Sequence, residues 1–312
     1  MKIGIYDVDQ TGFPNLALMK ISAWHKAQGH EVEMYSPLFL DSYDKIYASK
    51  IFDFSDGSQL IPERMEIGGT GYDMTKTLPP EVEDMTPDYE IYGYPHSIGF
   101  TMRGCRLKCS FCVVPEKEGK PYSNSTIADI WTQRDSDFVV LLDNDFFGNP
   151  EWPERIEEIR EYKLKVNFSQ GINIRNLKPE QAEAIASVRF SNMHNTKKQV
   201  HFAWDDPRHE KLIHRGIERC VNAGIKPSQM AFYLLIGYHS TEAQDLHRVK
   251  TLLDYGCDPY AMPYDKTDDY QRRFTRWVNH KAILKSVPWQ DYKQGIKKTV
   301  IPDAQQVIDF AY

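Results

Sequence analysis

The chain has 312 residues, 41% of them hydrophobic and 26% charged, with a formal net charge of −6. That composition excludes a disordered chain, a collagen-like repeat and a disulfide-stapled mini-protein, and the length fits one large α/β domain or two smaller ones. No run of 18 apolar residues occurs, so no membrane span is expected, and the opening residues 1–7 turn polar too soon for a signal peptide.

Residues 2–6 read as a short buried strand. Pro14 marks a helix start, with Leu16, Met19, Ala23 and Trp24 as its apolar positions and Gly29 as its stop. Residues 31–35 alternate polar and apolar, which completes a βαβ opening. Residues 45–54 supply another strand, and 67–71 read as a strand end running into a Gly-rich turn. From about 78 to 95, proline and acidic groups dominate, the composition of a linker. The rhythm then changes. Residues 97–102, 138–142, 164–168, 200–204, 230–236 and 259–262 read as six strands. Helices starting near Pro153, Pro179, Pro207 and Glu242 alternate with them. This pattern predicts a parallel sheet with right-handed crossovers that curves into a partial barrel. Chemistry then belongs at the strand C-termini. The expected fold class is α/β. A small Rossmann-like domain with its linker covers 1–95, a partial six-unit (β/α) barrel covers 96–264, and a basic helical extension covers 265–312.

The cysteine count is five, and three fall within eight residues: Cys105, Cys109 and Cys112, a C-x3-C-x2-C spacing. Such clustering argues for a metal or redox site in a reducing compartment, hence the cytoplasm, and not for disulfides. Three thiolates on one loop can converge on a cubane iron–sulfur cluster. One iron is then left without a protein ligand, where a cofactor or substrate can bind. Gly104 lets the loop turn sharply. Phe111 can cover the cluster or stack on a bound ring. Zinc is a competing reading, although no second Cys or His pair follows at zinc spacing. A chance grouping of core cysteines is another. Cys220 and Cys257 stand alone and read as packing residues.

The cysteine loop, Phe111 and the loop's place after the first strand of a βα series resemble the radical S-adenosylmethionine (radical SAM) superfamily. The resemblance implies a [4Fe-4S] cluster on Cys105, Cys109 and Cys112, with S-adenosylmethionine on the open iron. It also implies an electron donor such as flavodoxin or ferredoxin, and a 5′-deoxyadenosyl radical acting on a substrate the sequence does not identify. By the same resemblance, Asp143, Asn144 and Asp145 after the second strand bind the methionyl ammonium. Arg175 after the third strand pairs with the methionyl carboxylate, and Gln170 and Asn173 face substrate. Asp205 accepts from the ribose, and Gly237 and Met262 contact adenine. The plainer readings stay open: a turn or cap aspartate at 143–145, a solvent-exposed Arg175, and an Asp205 or Asp206 that caps the helix opening at Pro207.

The N-terminal segment resembles a reduced version of the cobalamin-binding domain that precedes many radical SAM cores. There an Asp-x-His-x-x-Gly motif supplies imidazole to cobalt. Here Asp7-Val8-Asp9-Gln10-Thr11-Gly12 places Asp9 at the histidine position, a poor cobalt ligand, so bound cobalamin is not expected.

Charge is uneven. Residues 266–298 hold nine bases, among them Arg272, Arg273, Arg276, Lys281, Lys297 and Lys298, against the acids Asp268, Asp269 and Asp291. Interleaved with Phe274, Trp277 and His280, these bases can track a nucleic-acid strand. At helical spacing, Phe274, Trp277, Val278 and Ile283 form a packed face and the bases a solvated one. Packing is favoured, because the chain is acidic overall. The expected function is a radical SAM enzyme. The alternatives are a cobalamin-dependent methyl transfer and a non-enzymatic metal-bearing nucleic-acid-binding protein.

Overall fold

The computed structural model describes residues 1–293. They form two compact units: Met1–Gly99 with Thr132–Ser136, and Phe100–Trp131 with the chain from Asp137 onward.

In the first unit, β1 (Lys2–Asp7), α1 (Leu16–Ala27) and β2 (Glu31–Met34) form the βαβ opening, and β3 (Lys45–Ser49) and β4 (Met65–Gly68) follow. All pair in parallel in the order β2-β1-β3-β4. This is a small Rossmann-like sheet. Ile3 and Ile5 pack with Leu18 of α1, while Tyr6, Ile46 and Ile67 form a second cluster. Asn15 caps α1 by accepting from the Leu18 amide at 3.2 Å. The strand expected over 45–54 stops at Ser49. Beyond it, Gly69 and Gly71 lie so close to the Lys50 and Phe52 backbones that a Cβ at either would collide.

The Pro- and acid-rich stretch at 78–95 is not an open linker. It carries α2 (Pro80–Glu83) and buries Val82 and Tyr89. Lys20 pairs with Glu83, and Lys26 with Asp88. Two apolar side chains dispersed among prolines and acids anchor it, a signal that composition hides. β5 (Ser97–Gly99) follows.

The second unit opens with β6 (Met102–Arg103) and β7 (Tyr122–Ser123), an antiparallel pair whose long loop holds the cysteines and α3 (Val114–Lys117). Next come α4 (Ile127–Ile130), β8 (Phe138–Leu141), α5 (Trp152–Glu161), β9 (Lys165–Phe168), α6 (Pro179–Ser187) and β10 (Arg189–Phe190). Then follow β11 (Val200–Ala203), α7 (Glu210–Asn222), β12 (Met230–Ile236), α8 (Glu242–Tyr255), β13 (Asp258–Pro263), α9 (Asp269–Asn279) and α10 (Lys281–Ser286). Strands β8, β9 and β10 pair in parallel, as do β11, β12 and β13. A parallel bridge from Ile172 to Phe202 links the segment after β9 to β11. The fold class is the expected one, an α/β partial barrel with a Rossmann-like unit ahead of it in sequence.

β12 is buried at all seven positions, as a central parallel strand must be. Its Phe232, Leu234 and Ile236 share one core with Ile213 and Ile217 of α7 and Val249 and Leu252 of α8. Each such side chain contributes about 1.5–3 kcal/mol by leaving water. Gly216 lets α7 approach Ile174, where a Cβ would clash. Thr241 and Gln244 form a capping box at the start of α8, and Gly256, at φ +79°, ends it. Cys220 and Cys257 lie buried in this core, and burial pushes both thiols up to about 12.

Helix α9 buries Phe274, Trp277 and Val278 and exposes Arg272, Arg273 and Arg276. Of the interleaved rings, Phe274 and Trp277 are therefore core residues, while His280 is exposed. Lys297 and Lys298 lie outside the described residues. Among the described residues, no helix is long and apolar enough to cross a membrane.

Candidate active site

The cysteine loop leaves β6 through Gly104, whose φ is +75° and whose Cβ, if present, would collide with the Lys120 carbonyl. Only glycine fits that place. The loop is then tied at several points. The Gly104 amide donates to Glu118 Oε2 at 2.8 Å, and the Cys105 amide to the Gly119 carbonyl at 3.2 Å. Glu118 also accepts from Asn144 at 3.0 Å and faces Arg103 at 3.4 Å. Arg106 grips Asp145 with two bonds, of 2.6 and 3.1 Å. Asp143 is buried and accepts from the Thr101 amide, the Thr101 hydroxyl and the Met102 amide at 2.7, 2.6 and 3.0 Å. The Asp143-Asn144-Asp145 run after β8 thus braces the chain before and within the cysteine loop.

Cys105, Cys109 and Cys112 carry free thiols, all half-buried. Burial pushes each thiol up, Cys105 to about 11. Arg175 beside Cys109 works against that rise. Among the described residues, no three His, Cys, Asp or Glu side chains are grouped to hold a single metal ion. A single zinc asks for sulfurs about 3.8 Å apart, given its bond length and tetrahedral angle. A cubane, with each thiolate on its own iron, asks for a wider spread. Three soft donors on one pinned, half-buried loop fit a cluster of that kind.

A cavity of about 350 Å³ adjoins the loop, lined among others by Cys109, Ser110, Phe111, Arg175, Asp205, His209, Tyr238 and His239. Of the residues singled out from sequence, Cys109, Phe111, Arg175, Asp205 and Asp206 meet there. Cys105, Cys112, Asp143, Asn144, Asp145, Gln170, Asn173, Gly237 and Met262 do not line it. Arg175 follows β9, where Asn173 accepts from both its amide and its Nε at 3.2 Å; its Nη1 contacts His209 Nδ1 at 3.1 Å. Asp205 follows β11. Desolvation in the cavity wall raises it to about 6, against the pull of Arg248 and Arg175. Its neighbour Asp206 accepts from the Arg208 amide at 2.9 Å, and the bonds from Arg208 hold it down at about 2. Asp206 is therefore the cap; it also lines the cavity, but with its carboxylate engaged by Arg208.

The residues after β12 complete the wall. Gly237, at φ +78°, packs against Gln271 so closely that any Cβ would clash. The Tyr238 hydroxyl donates to Ser110 Oγ at 2.7 Å, and its ring meets Phe111 edge-on at 5.3 Å. His239 holds φ +49°, a left-handed conformation uncommon outside glycine and often found at functional sites. Tyr238, His239, Asn176 and His209 were not singled out from sequence. Their one signal is position, in loops that follow barrel strands. Met262 sits half-buried on β13, opposite Leu235.

In the first unit, Asp9 turns toward its own chain. Its carboxylate accepts from the Ile51 amide at 2.6 Å, the Phe52 amide at 3.2 Å and the Ser55 hydroxyl at 2.5 Å. Such a group does not suit a cobalt ligand.

No protein-family model matches the sequence, and no curated protein matches it. Among solved structures, the chain is similar to the apo, selenomethionine-labelled cobalamin-dependent S-adenosylmethionine radical enzyme OxsB. The TM-score is 0.50 and the identity 15%. The match covers 91% of this chain and 56% of that one, so the chain spans little more than half the enzyme's length. At that identity the likeness establishes one thing, a fold shared with a radical S-adenosylmethionine enzyme.

Proposed function

We propose that the protein is a radical SAM enzyme that holds a [4Fe-4S] cluster on Cys105, Cys109 and Cys112 and S-adenosylmethionine in the adjoining cavity. One observation carries this reading: the cysteine loop, Phe111, Arg175 and Asp205 come from distant parts of the chain and share one cavity. When bound, the cluster supplies the electron that splits the sulfonium into methionine and a 5′-deoxyadenosyl radical. The chain's own residues bind and orient. Arg175, already fixed by Asn173, offers its guanidinium to a carboxylate. Asp205 accepts from a ribose hydroxyl. Phe111 and Tyr238 wall the site with rings and keep bulk water off the reacting carbon.

Anaerobic reconstitution tests the proposal. The wild type should show a [4Fe-4S] resonance that shifts on adding S-adenosylmethionine, and should release 5′-deoxyadenosine with dithionite. Cys109→Ala should do neither. Equal release from both proteins would sink it. The reductant in the cell would be a flavodoxin or ferredoxin, and a cluster of this kind suits the reducing cytoplasm. The burial of Phe274 and Trp277 supports no nucleic-acid partner at α9, since rings packed in a core cannot stack on bases.

A second reading, a cobalamin-dependent reaction, has the structural neighbour in its favour. The three hydrogen bonds on Asp9 count against cobalt ligation at that position. Protein purified from cobalamin-supplemented cells should therefore lack the corrin absorption, and its retention would favour the second reading.

A further inference from the structure

Helix α8 carries two charges into a region closed to water. Asp245 and Arg248 lie one turn apart, and both side chains are fully buried. Arg248 Nη2 donates to Asp245 Oδ1 at 2.6 Å. The rest of the fork faces main-chain carbonyls. Nη1 donates to Trp204 at 2.6 Å and to Asp205 at 3.1 Å, and Nη2 donates to Leu235 at 2.7 Å. The second oxygen of Asp245 accepts from the Tyr270 hydroxyl at 2.8 Å and from the Gly237 amide at 3.3 Å, an amide that also donates to Ser240 Oγ at 3.2 Å. Burial and the Asp245 charge push Tyr270 far up, so its hydroxyl stays a donor. Arg248 Nε is buried with no acceptor. That cost marks a geometry set by the other bonds.

Stability alone does not explain such a pair. Desolvating two charges cancels much of their attraction, and an apolar pair of similar volume often holds a fold as well or better. An apolar pair cannot aim carbonyls. Arg248 pins the backbone where β11 ends, at the residue whose side chain faces the cavity. Asp245, together with Ser240, holds the Gly237 amide where β12 ends. The next residue, Tyr238, reaches Ser110 in the cysteine loop. Two separate walls of the cavity are thus fixed from behind by one ion pair, with α9 attached through Tyr270.

We propose that Asp245 and Arg248 are positioning residues that set the 205 and 238–239 walls for S-adenosylmethionine. Neither touches the cavity, and the role rests on the function proposed above. Removing one charge would strand the other, so the decisive protein is the double variant Asp245→Leu/Arg248→Met. It should fold, with a thermal midpoint lowered because the three carbonyls and the Tyr270 hydroxyl lose their partner, and bind the same iron on reconstitution. Its affinity for S-adenosylmethionine should fall at least 20-fold by equilibrium dialysis. In cofactor-free protein, amide hydrogen exchange should rise at least tenfold in residues 203–207 and 236–240, with the rest of β12 unchanged. Wild-type exchange in both segments of the folded double variant would overturn the positioning role. So would unchanged affinity. Should the double variant fail to fold, Tyr270→Phe decides, because it removes a single bond to Asp245. Its exchange should rise about threefold in 236–240 and not in 203–207, and no rise would overturn the role. A wild type that binds no S-adenosylmethionine would overturn the function and leave the exchange test standing.

Discussion

Each unit is built on parallel strands, and the two finish their strand ends in opposite ways. In the first, Asp9 bonds across to Ile51, Phe52 and Ser55, and Gly69 and Gly71 lie against the same backbone. The loops bind one another. In the second, the strand ends are gripped from behind by Arg248 and Asp245, and Arg175, Asp205 and Tyr238 face a cavity. Parallel topology places a crevice at strand C-termini. Loop chemistry decides whether the chain or a ligand fills it.

The comparison breaks most visibly at the cysteine loop. Gly104→Ala forces a Cβ into the Lys120 carbonyl at a positive φ. Iron per chain after reconstitution should fall at least tenfold, while exchange protection of β1 and β3 stays at its wild-type level. Full iron loading would mean that the loop is not pinned there.

Asp143 gives the next largest effect. Burial raises it to about 7, against the hydrogen bonds from Thr101 and Met102. Its folded pKa lies above the unfolded value, so the folded state holds the proton more tightly. Its contribution is therefore full below about pH 4 and is lost as pH rises through about 7, by up to roughly 4 kcal/mol. Asp143→Asn should flatten that slope in urea unfolding of the second unit. An unchanged slope would assign the pH dependence elsewhere.

A paired test sharpens the contrast between closed and open strand ends. Asp9→Ala leaves two amides without their acceptor and should cost about 2–4 kcal/mol of first-unit stability, with no effect on S-adenosylmethionine binding. Asp205→Asn should cost under about 1 kcal/mol and weaken that binding about tenfold, the size of one lost charge-assisted bond. Titration calorimetry and unfolding curves on both variants check this. An Asp9 variant that binds less and an Asp205 variant that unfolds sooner would reverse the assignment of the two ends.

Much of this is legible in sequence, and the rest is hidden for physical reasons. Five apolar runs mark β8, β9, β11, β12 and β13 because burial leaves such strands few polar positions, whereas the strand expected over 97–102 is broken into β5 and β6 around the buried Thr101. The cysteine spacing reads as a metal loop because three thiols rarely crowd by chance, and the fold sets that loop beside a cavity. Arg248 is another matter. An Asp and an Arg at i and i+3 on a helix read as a surface pair, and nothing local tells that these two are wholly buried. Asp145 and Arg106 stand 39 residues apart and meet only in the fold. Tyr238 and His239 follow a strand but carry no periodicity, so position alone points to them. Among the prolines and acids of 78–95, Val82 and Tyr89 are too sparse to announce a packed segment.

The smallest effect lies within the closed unit, where two buried groups titrate in opposition. Asp7 is raised to about 6 by burial, with Tyr92 donating to it at 3.0 Å. His25 is lowered to about 4 by burial; its ring nitrogens contact His30 Nδ1 at 2.8 Å and the Tyr47 hydroxyl at 3.0 Å. Between pH 4 and 6 the folded state binds Asp7's proton more tightly than the unfolded chain does, so that contribution falls as pH rises. Over the same range it binds His25's proton less tightly, so that contribution grows with pH. Each slope approaches about 1.4 kcal/mol per pH unit, and the two nearly cancel. Wild-type protection of β1 and β3 should therefore be almost flat from pH 4 to 6 once the intrinsic exchange rate is divided out. Asp7→Asn should leave stability rising with pH, and His25→Gln should leave it falling. Slopes of the same sign in the two variants would show that the strand ends of this unit are not closed over the buried charges as the geometry requires.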